Sequence, residues 1–197
     1  MRSLITCILA VIIFAASSWG EGSEKAVERV QYHMGTYARV LIYDGTNADA
    51  DAAFLRIKEL DGLLSDYDPG SEVSEISRMA GKAPVNSSPD VVKVLTETVR
   101  VAEETDGEFD PTIGALTIGV YRFGRDGGRV PGDEEIRKAK SLVDYRDLRI
   151  EGDQVYLKRP GMMLDLGGIG KGYAVEEAVR TLKERGITRG LVSLSLA

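Results

Sequence analysis

The sequence predicts an α+β fold, a single domain of helices packed on mixed sheet. Two observations point there. Apolar residues at helical spacing recur in several segments that alternate with short β-rich runs, rather than being grouped at one end of the chain. An apolar run at 162–166 also passes through a glycine turn into a helix and on to a last strand, a βαβ-like strand–glycine turn–helix–strand unit.

Taken in order, Tyr37 to Tyr43 reads as the first strand, preceded by Met34-Gly35-Thr36. Asn47 can cap a helix to Leu64 with Phe54, Ile57, Leu60 and Leu64 on its buried face. After Ser65-Asp66-Tyr67-Asp68-Pro69-Gly70, a turn by its Pro-Gly pair, a short helix runs from Ser71 to Met79. Ser88-Pro89 opens the next helix, directing Val91, Val92, Leu95, Val99 and Ala102 inward, and Gly107 follows its end. Residues 113–132 hold six glycines and read as loop, with Tyr121 and Phe123 as anchors. Asp133 caps a helix to Leu142, and Leu148–Ile150 and Gln154–Leu157 form a hairpin. The helix after the glycine turn closes at Gly186, and Gly190 to Leu196 is the last strand.

The first twenty residues read as a targeting segment. Arg2 precedes an apolar run from Leu4 to Ala16, and small residues follow at Ser17-Ser18-Trp19-Gly20. Export with cleavage near Gly20 is expected, an uncleaved anchor being the alternative. Residues 21–30 are polar and read as a flexible lead-in, with the domain spanning 31–197. Without residues 1–20 the chain has 24 basic and 31 acidic residues, a formal charge of −7, which disfavours nucleic acid as a partner. Cys7 lies in the leader and His33 is the only histidine, so thiolate chemistry, zinc and a Ser-His-Asp triad are set aside. A metal here would be a hard, oxygen-ligated ion such as Mg²⁺.

The most informative stretch is 162–175. Asp165 ends the apolar run, Gly167, Gly168, Gly170 and Gly172 allow a sharp turn, and Lys171 stands at the start of the helix. Free N–H groups, the helix dipole and Lys171 would converge there, an arrangement suited to phosphate. The spacing is neither G-x-G-x-x-G nor a P-loop, since Gly172 follows Lys171 where Ser or Thr is required. A plain strand-to-helix connection is the alternative. Further candidates sit at element ends: Met34, Tyr67 as a ring that could stack, and Glu108-Phe109-Asp110, where Pro111 holds Asp110 extended.

Four ordered stretches together resemble the FAD:protein FMN transferases of the ApbE type. They are Met34-Gly35-Thr36, Asp66-Tyr67 before a Ser-rich helix, Asp106-Gly107-Glu108-Phe109-Asp110-Pro111-Thr112-Ile113-Gly114, and Asp165 to Ala174. The resemblance implies that Met34, Tyr67, Glu108, Phe109, Asp110, Asp165 and Lys171 line an FAD pocket. It implies that the Gly168 carbonyl is one ligand of Mg²⁺. It further implies an exported transferase, in the periplasm or on the outer face of the cytoplasmic membrane. Such an enzyme passes FMN from FAD to a threonine hydroxyl of an acceptor, an electron-transfer flavoprotein subunit, and releases AMP. The family's pattern continues with a Gly-Gly turn and a further part carrying flavin contacts and side-chain magnesium ligands. This chain reads Leu191 to Ala197 instead, which leads to the expectation of a truncated or fragmentary member with weak or absent transfer. A non-catalytic FAD-binding module and an exported interaction domain are the alternative readings.

Overall fold

The computed structural model describes residues 26–125 and 128–195; residues 1–20, expected to be a targeting segment, and residues 21–25 lie outside the described residues. The class is α+β. One antiparallel sheet has strand order β1-β2-β6, from Ala26–His33 (β1), Thr36–Tyr43 (β2) and Gly190–Leu194 (β6). β2 is central, and Thr36, Ala38, Val40 and Ile42 alternate into the core as a half-buried strand requires. The second sheet has order β3-β5-β4, built from Val85–Asn86 (β3), Leu148–Glu151 (β4) and Gln154–Leu157 (β5), and is also antiparallel. Residues 26–30 are a correction to the sequence reading: expected in a flexible lead-in, they form the first half of β1, their ladder to β2 running from Ala26–Tyr43 to His33–Thr36.

The helices are Asn47–Leu64 (α1), Glu72–Arg78 (α2), Pro89–Glu104 (α3), Gly114–Leu116 (α4), Asp133–Lys140 (α5) and Gly170–Glu184 (α6). α1 buries Phe54, Ile57, Leu60 and Leu64. Its N-cap is Thr46 rather than Asn47, because the Asp49 carboxylate accepts from the Thr46 N–H at 2.9 Å and from its hydroxyl at 2.7 Å. Gly132, not Asp133, likewise caps α5, its N–H donating to Glu135 at 3.1 Å. On α3, Val91, Leu95 and Ala102 are buried as expected and Val92 and Val99 are partly buried against the core, while Val94 and Thr98, which were not expected inward, are fully buried. Thr98 tolerates burial by donating to the Val94 carbonyl at 2.5 Å. α1 and α6 pack side by side, and one core cluster joins both sheets to α1, α2, α3 and α6.

Two segments differ from expectation. Residues 113–132 are not all loop: α4 continues into a single π-helical stretch, Thr117–Tyr121. Gly114 allows this, since a Cβ there would stand 2.6 Å from the Met163 carbonyl oxygen. Tyr121 and Phe123 stack on each other with centroids 5.0 Å apart, and Phe123 is exposed rather than anchored in the core. The apolar run at 162–166 is buried at Met162, Leu164 and Leu166 but is not a strand of either sheet. It makes one parallel bridge, Ile113–Met163, and the Leu164 N–H donates to the Ser77 hydroxyl at 3.0 Å, so a side chain of α2 takes the bond a neighbouring strand would accept. The order run–turn–helix–strand is present, but β6 closes it by pairing antiparallel to β2, so every ladder among the described strands is antiparallel rather than mixed.

Candidate functional site

The turn between Leu166 and α6 divides two cavities, of about 560 and 840 Å³, and Asp165 and Gly167 line both. Met34, Tyr67 and Lys171 line the smaller one; Glu108, Phe109, Asp110 and Gly168 line the larger. The sequence-derived candidates are therefore brought to one region, on either side of a single turn.

Long-range hydrogen bonds hold this turn. The Asp165 N–H donates to the Pro111 carbonyl at 2.8 Å, and the Asp165 carboxylate accepts from the Thr117 hydroxyl at 2.7 Å and from the Gly167 N–H at 2.9 Å. The Leu166 carbonyl accepts from Ile169 and Gly170. Among the described residues, the N–H groups of Gly168, Lys171 and Gly172 have no protein acceptor, so the expected row of free donors narrows to these three. Lys171 is exposed and has no ion-pair partner among the described residues, although a cation at a helix N-terminus opposes the dipole. Gly168 lies under the Phe109 ring, where a Cβ would stand 3.0 Å from Cε2.

Met34 and Gly35 form the two-residue turn of the β1–β2 hairpin, with φ of 50° and 72°. Positive φ at both positions matches the twist of the strands, but it strains a methionine. The Asp61 carboxylate on α1 holds the conformation, accepting from the Met34 N–H at 2.9 Å. The Met34 side chain then reaches the start of α6, its Cε 3.6 Å from where a Gly170 Cβ would be.

Asp110 is engaged in shaping its loop. Its carboxylate accepts from the Thr112 N–H at 2.8 Å, the Thr112 hydroxyl at 2.6 Å and the Tyr145 N–H at 2.8 Å. Tyr67 is half exposed, with the Arg125 guanidinium 4.6 Å from its ring centroid. Asp66 next to it is pushed above the usual carboxylate range, first by burial and then by the charge of Asp165.

Asp61, Thr117 and Arg125 are functional-region residues that sequence reasoning missed. None has a local signal: each acts on a residue 27 to 58 positions away. For Mg²⁺, the Gly168 carbonyl and the Asp165 carboxylate are hard oxygen donors of the right kind. They are too few for a six-oxygen shell, and no group of three or more acidic or histidine side chains converges among the described residues.

The family model described as "ApbE family" matches residues 34–195. A FAD:protein FMN transferase of Salmonella typhimurium is 32% identical over 173 residues, covering 82% of this chain and 49% of the relative. One from Treponema pallidum is 26% identical over 203 residues, covering 97% of this chain and 55% of the relative. Among solved structures, the flavin transferase ApbE of Vibrio cholerae superposes with a TM-score of 0.80 at 24% identity, over 86% of this chain and 57% of that one. The ApbE protein of Thermotoga maritima gives 0.78 at 26% identity, over 86% and 57%. The chain spans about half the length of these curated relatives.

Proposed function

The chain belongs to the ApbE family, and from that premise we propose that its two adjoining cavities bind FAD and that the protein is a flavin transferase. The observation that carries this reading is the first turn of α6. Among the described residues, the Gly168 and Lys171 N–H groups have no protein acceptor and the Lys171 side chain no ion-pair partner, and with the positive end of a helix dipole they border the two cavities, Gly168 on one side and Lys171 on the other. A pyrophosphate seated on that turn has room for one ring system on each side, with Tyr67 in one cavity and Phe109 in the other.

The proposed reaction is attack of a threonine oxygen of an acceptor protein on the FMN phosphorus. The new P–O bond forms as the pyrophosphate bond breaks, the hydroxyl proton passes to solvent, and AMP leaves with the bridging oxygen. Charge grows on the phosphoryl oxygens in the transition state, and the role of Lys171 and the free N–H groups is to offset it. Asp165, fixed by Thr117, holds the glycine turn through the Gly167 N–H and so sets the conformation of the backbone that carries these donors. The Gly168 carbonyl and the Asp165 carboxylate would contribute oxygen donors to Mg²⁺, which would supply Lewis-acid stabilisation of the phosphoryl charge when bound. With the leader of residues 1–20, the protein is proposed to work in the periplasm or on the outer face of the cytoplasmic membrane, on an electron-transfer flavoprotein subunit.

The test is mass spectrometry of a threonine-containing acceptor incubated with the protein, FAD and Mg²⁺, with AMP measured in parallel. FAD binding with weak FMN attachment and matching AMP release is the expected result, since the described residues offer too few oxygen donors for Mg²⁺; robust attachment by this chain alone would overturn the expectation of weak transfer. FAD binding with neither product would leave a flavin-binding module, and no FAD binding at all would end the reading.

A further inference from the structure

Tyr67 lines two cavities. One is the smaller cavity beside Lys171, and the other, of about 460 Å³, lies beyond it and is also lined by Arg125. The ring is not a loose surface tyrosine. Its N–H donates to the Ser65 hydroxyl at 3.2 Å and its own hydroxyl to the Phe123 carbonyl at 3.4 Å. The Arg125 guanidinium lies 4.6 Å from the ring centroid, donates to the Asp66 carbonyl and stands 3.5 Å from the Asp66 carboxylate. Gly124 completes the grip: its φ is +66°, and a Cβ there would lie 2.8 Å from the Tyr67 hydroxyl oxygen.

A cation over one face of an aromatic ring fixes the ring's tilt and leaves the opposite face for a second partner. Arg125 stands with Tyr67 in the outer cavity and is absent from the wall of the inner one. We propose that Arg125, with Gly124 beneath the ring edge, is a positioning residue that presents Tyr67 as a one-faced platform for a planar ring of FAD. This rests on the FAD reading above. Arginine suits the task because its flat guanidinium lies parallel to a ring while its edge hydrogen-bonds a carbonyl, which a lysine ammonium does not reproduce.

Two measurements test it. In ligand-free protein, Arg125→Gln is expected to shift the aromatic NMR signals of Tyr67 towards those of a freely rotating tyrosine. In titrations with FAD, the same variant is expected to raise Kd about three- to tenfold, with Arg125→Lys recovering part of the loss. Gly124→Ala acts in the same direction, and in a Tyr67→Leu background Arg125→Gln is expected to add nothing. If the unaltered protein binds no FAD, the functional reading falls and takes the proposal with it. If it binds FAD and Arg125→Gln binds equally well, or the Tyr67 signals do not move, the proposal alone is overturned.

Discussion

Replacing Glu177 by glutamine keeps the shape of α6 and removes one buried charge. The Glu177 side chain is 3% exposed, and its carboxylate accepts from Arg180 at 2.6 Å, Arg56 at 2.8 Å and Lys93 at 3.1 Å. Arg180 and Lys93 are half exposed, so each of those pairs contributes only about 0.2–1 kcal/mol. Arg56 is 18% exposed and shared with Asp90, and its charged hydrogen bond contributes about 1.5–3 kcal/mol. Glu177→Gln should therefore destabilise the protein by about 2–5 kcal/mol, or about 4–20 °C in Tm for a chain of this size. Urea denaturation at pH 7 measures it, and a double-mutant cycle with Arg56→Met isolates the coupling. The charge also sets a pH signature. The Arg180 hydrogen bond, then those of Arg56 and Lys93, hold Glu177 down to about 2 from the usual 4.5 against the opposing effect of burial. A depressed carboxylate stabilises fully above pH 4.5 and loses that contribution as pH falls towards 2, so the two proteins should converge across that window. A difference under about 0.5 kcal/mol at pH 7, or one that does not shrink in acid, would refute the reasoning.

Lys171→Met removes the cation at the start of α6 and should raise the Kd for FAD about tenfold or more, with a weaker salt dependence than the unaltered protein. Gly114→Ala sets a Cβ 2.6 Å from the Met163 carbonyl oxygen; because backbone must move, it should lower stability by about 1–3 kcal/mol and weaken FAD binding by displacing Asp165. Asp66→Asn relieves a carboxylate disfavoured by burial and by Asp165, so the variant should be the more stable at pH 7. That advantage should vanish as pH falls and Asp66 takes up its proton, which paired urea titrations would show.

The helices were legible because their signals are local: caps at Ser71 and Ser88, proline at position 89, and apolar faces at helical spacing. β1 was not. Its polar residues Glu28, Arg29 and Gln31 resemble a linker, and it is a strand only because β2 lies beside it. The run at 162–166 misled in the opposite way. It is as apolar as a buried strand, but Ser77 and Pro111 meet its N–H groups in place of a second strand. The site followed the same logic. Its loops could be read one at a time from glycines, prolines and charged residues at element ends. The contacts that fix them, Asp61 to Met34, Thr117 to Asp165 and Arg125 to Tyr67, are settled by tertiary packing and leave no trace in spacing.

These contacts bear on how α6 serves two purposes. Lys171 and Glu177 lie six residues apart on one helix, about 9 Å along its axis. If the helix were held only through Glu177, loss of that charge would tilt the donors at its first turn and damage binding as much as stability. The first turn, however, has its own attachments: Gly170 and Ile169 to the Leu166 carbonyl, Asp165 to Pro111, and the Asp165 carboxylate to Thr117. Stability and ligand affinity should therefore separate. Glu177→Gln should leave the FAD Kd within about twofold while lowering Tm, since its effects lie far from the donors. Thr117→Val should do the reverse, raising Kd about threefold or more with a smaller loss of Tm than Glu177→Gln, because one part-buried hydrogen bond to a carboxylate, of about 1.5–3 kcal/mol, is lost at the turn. Parallel losses of affinity and stability in both variants would mean that the first turn has no independent anchor, and that α6 reports on the core and the site as one rigid lever.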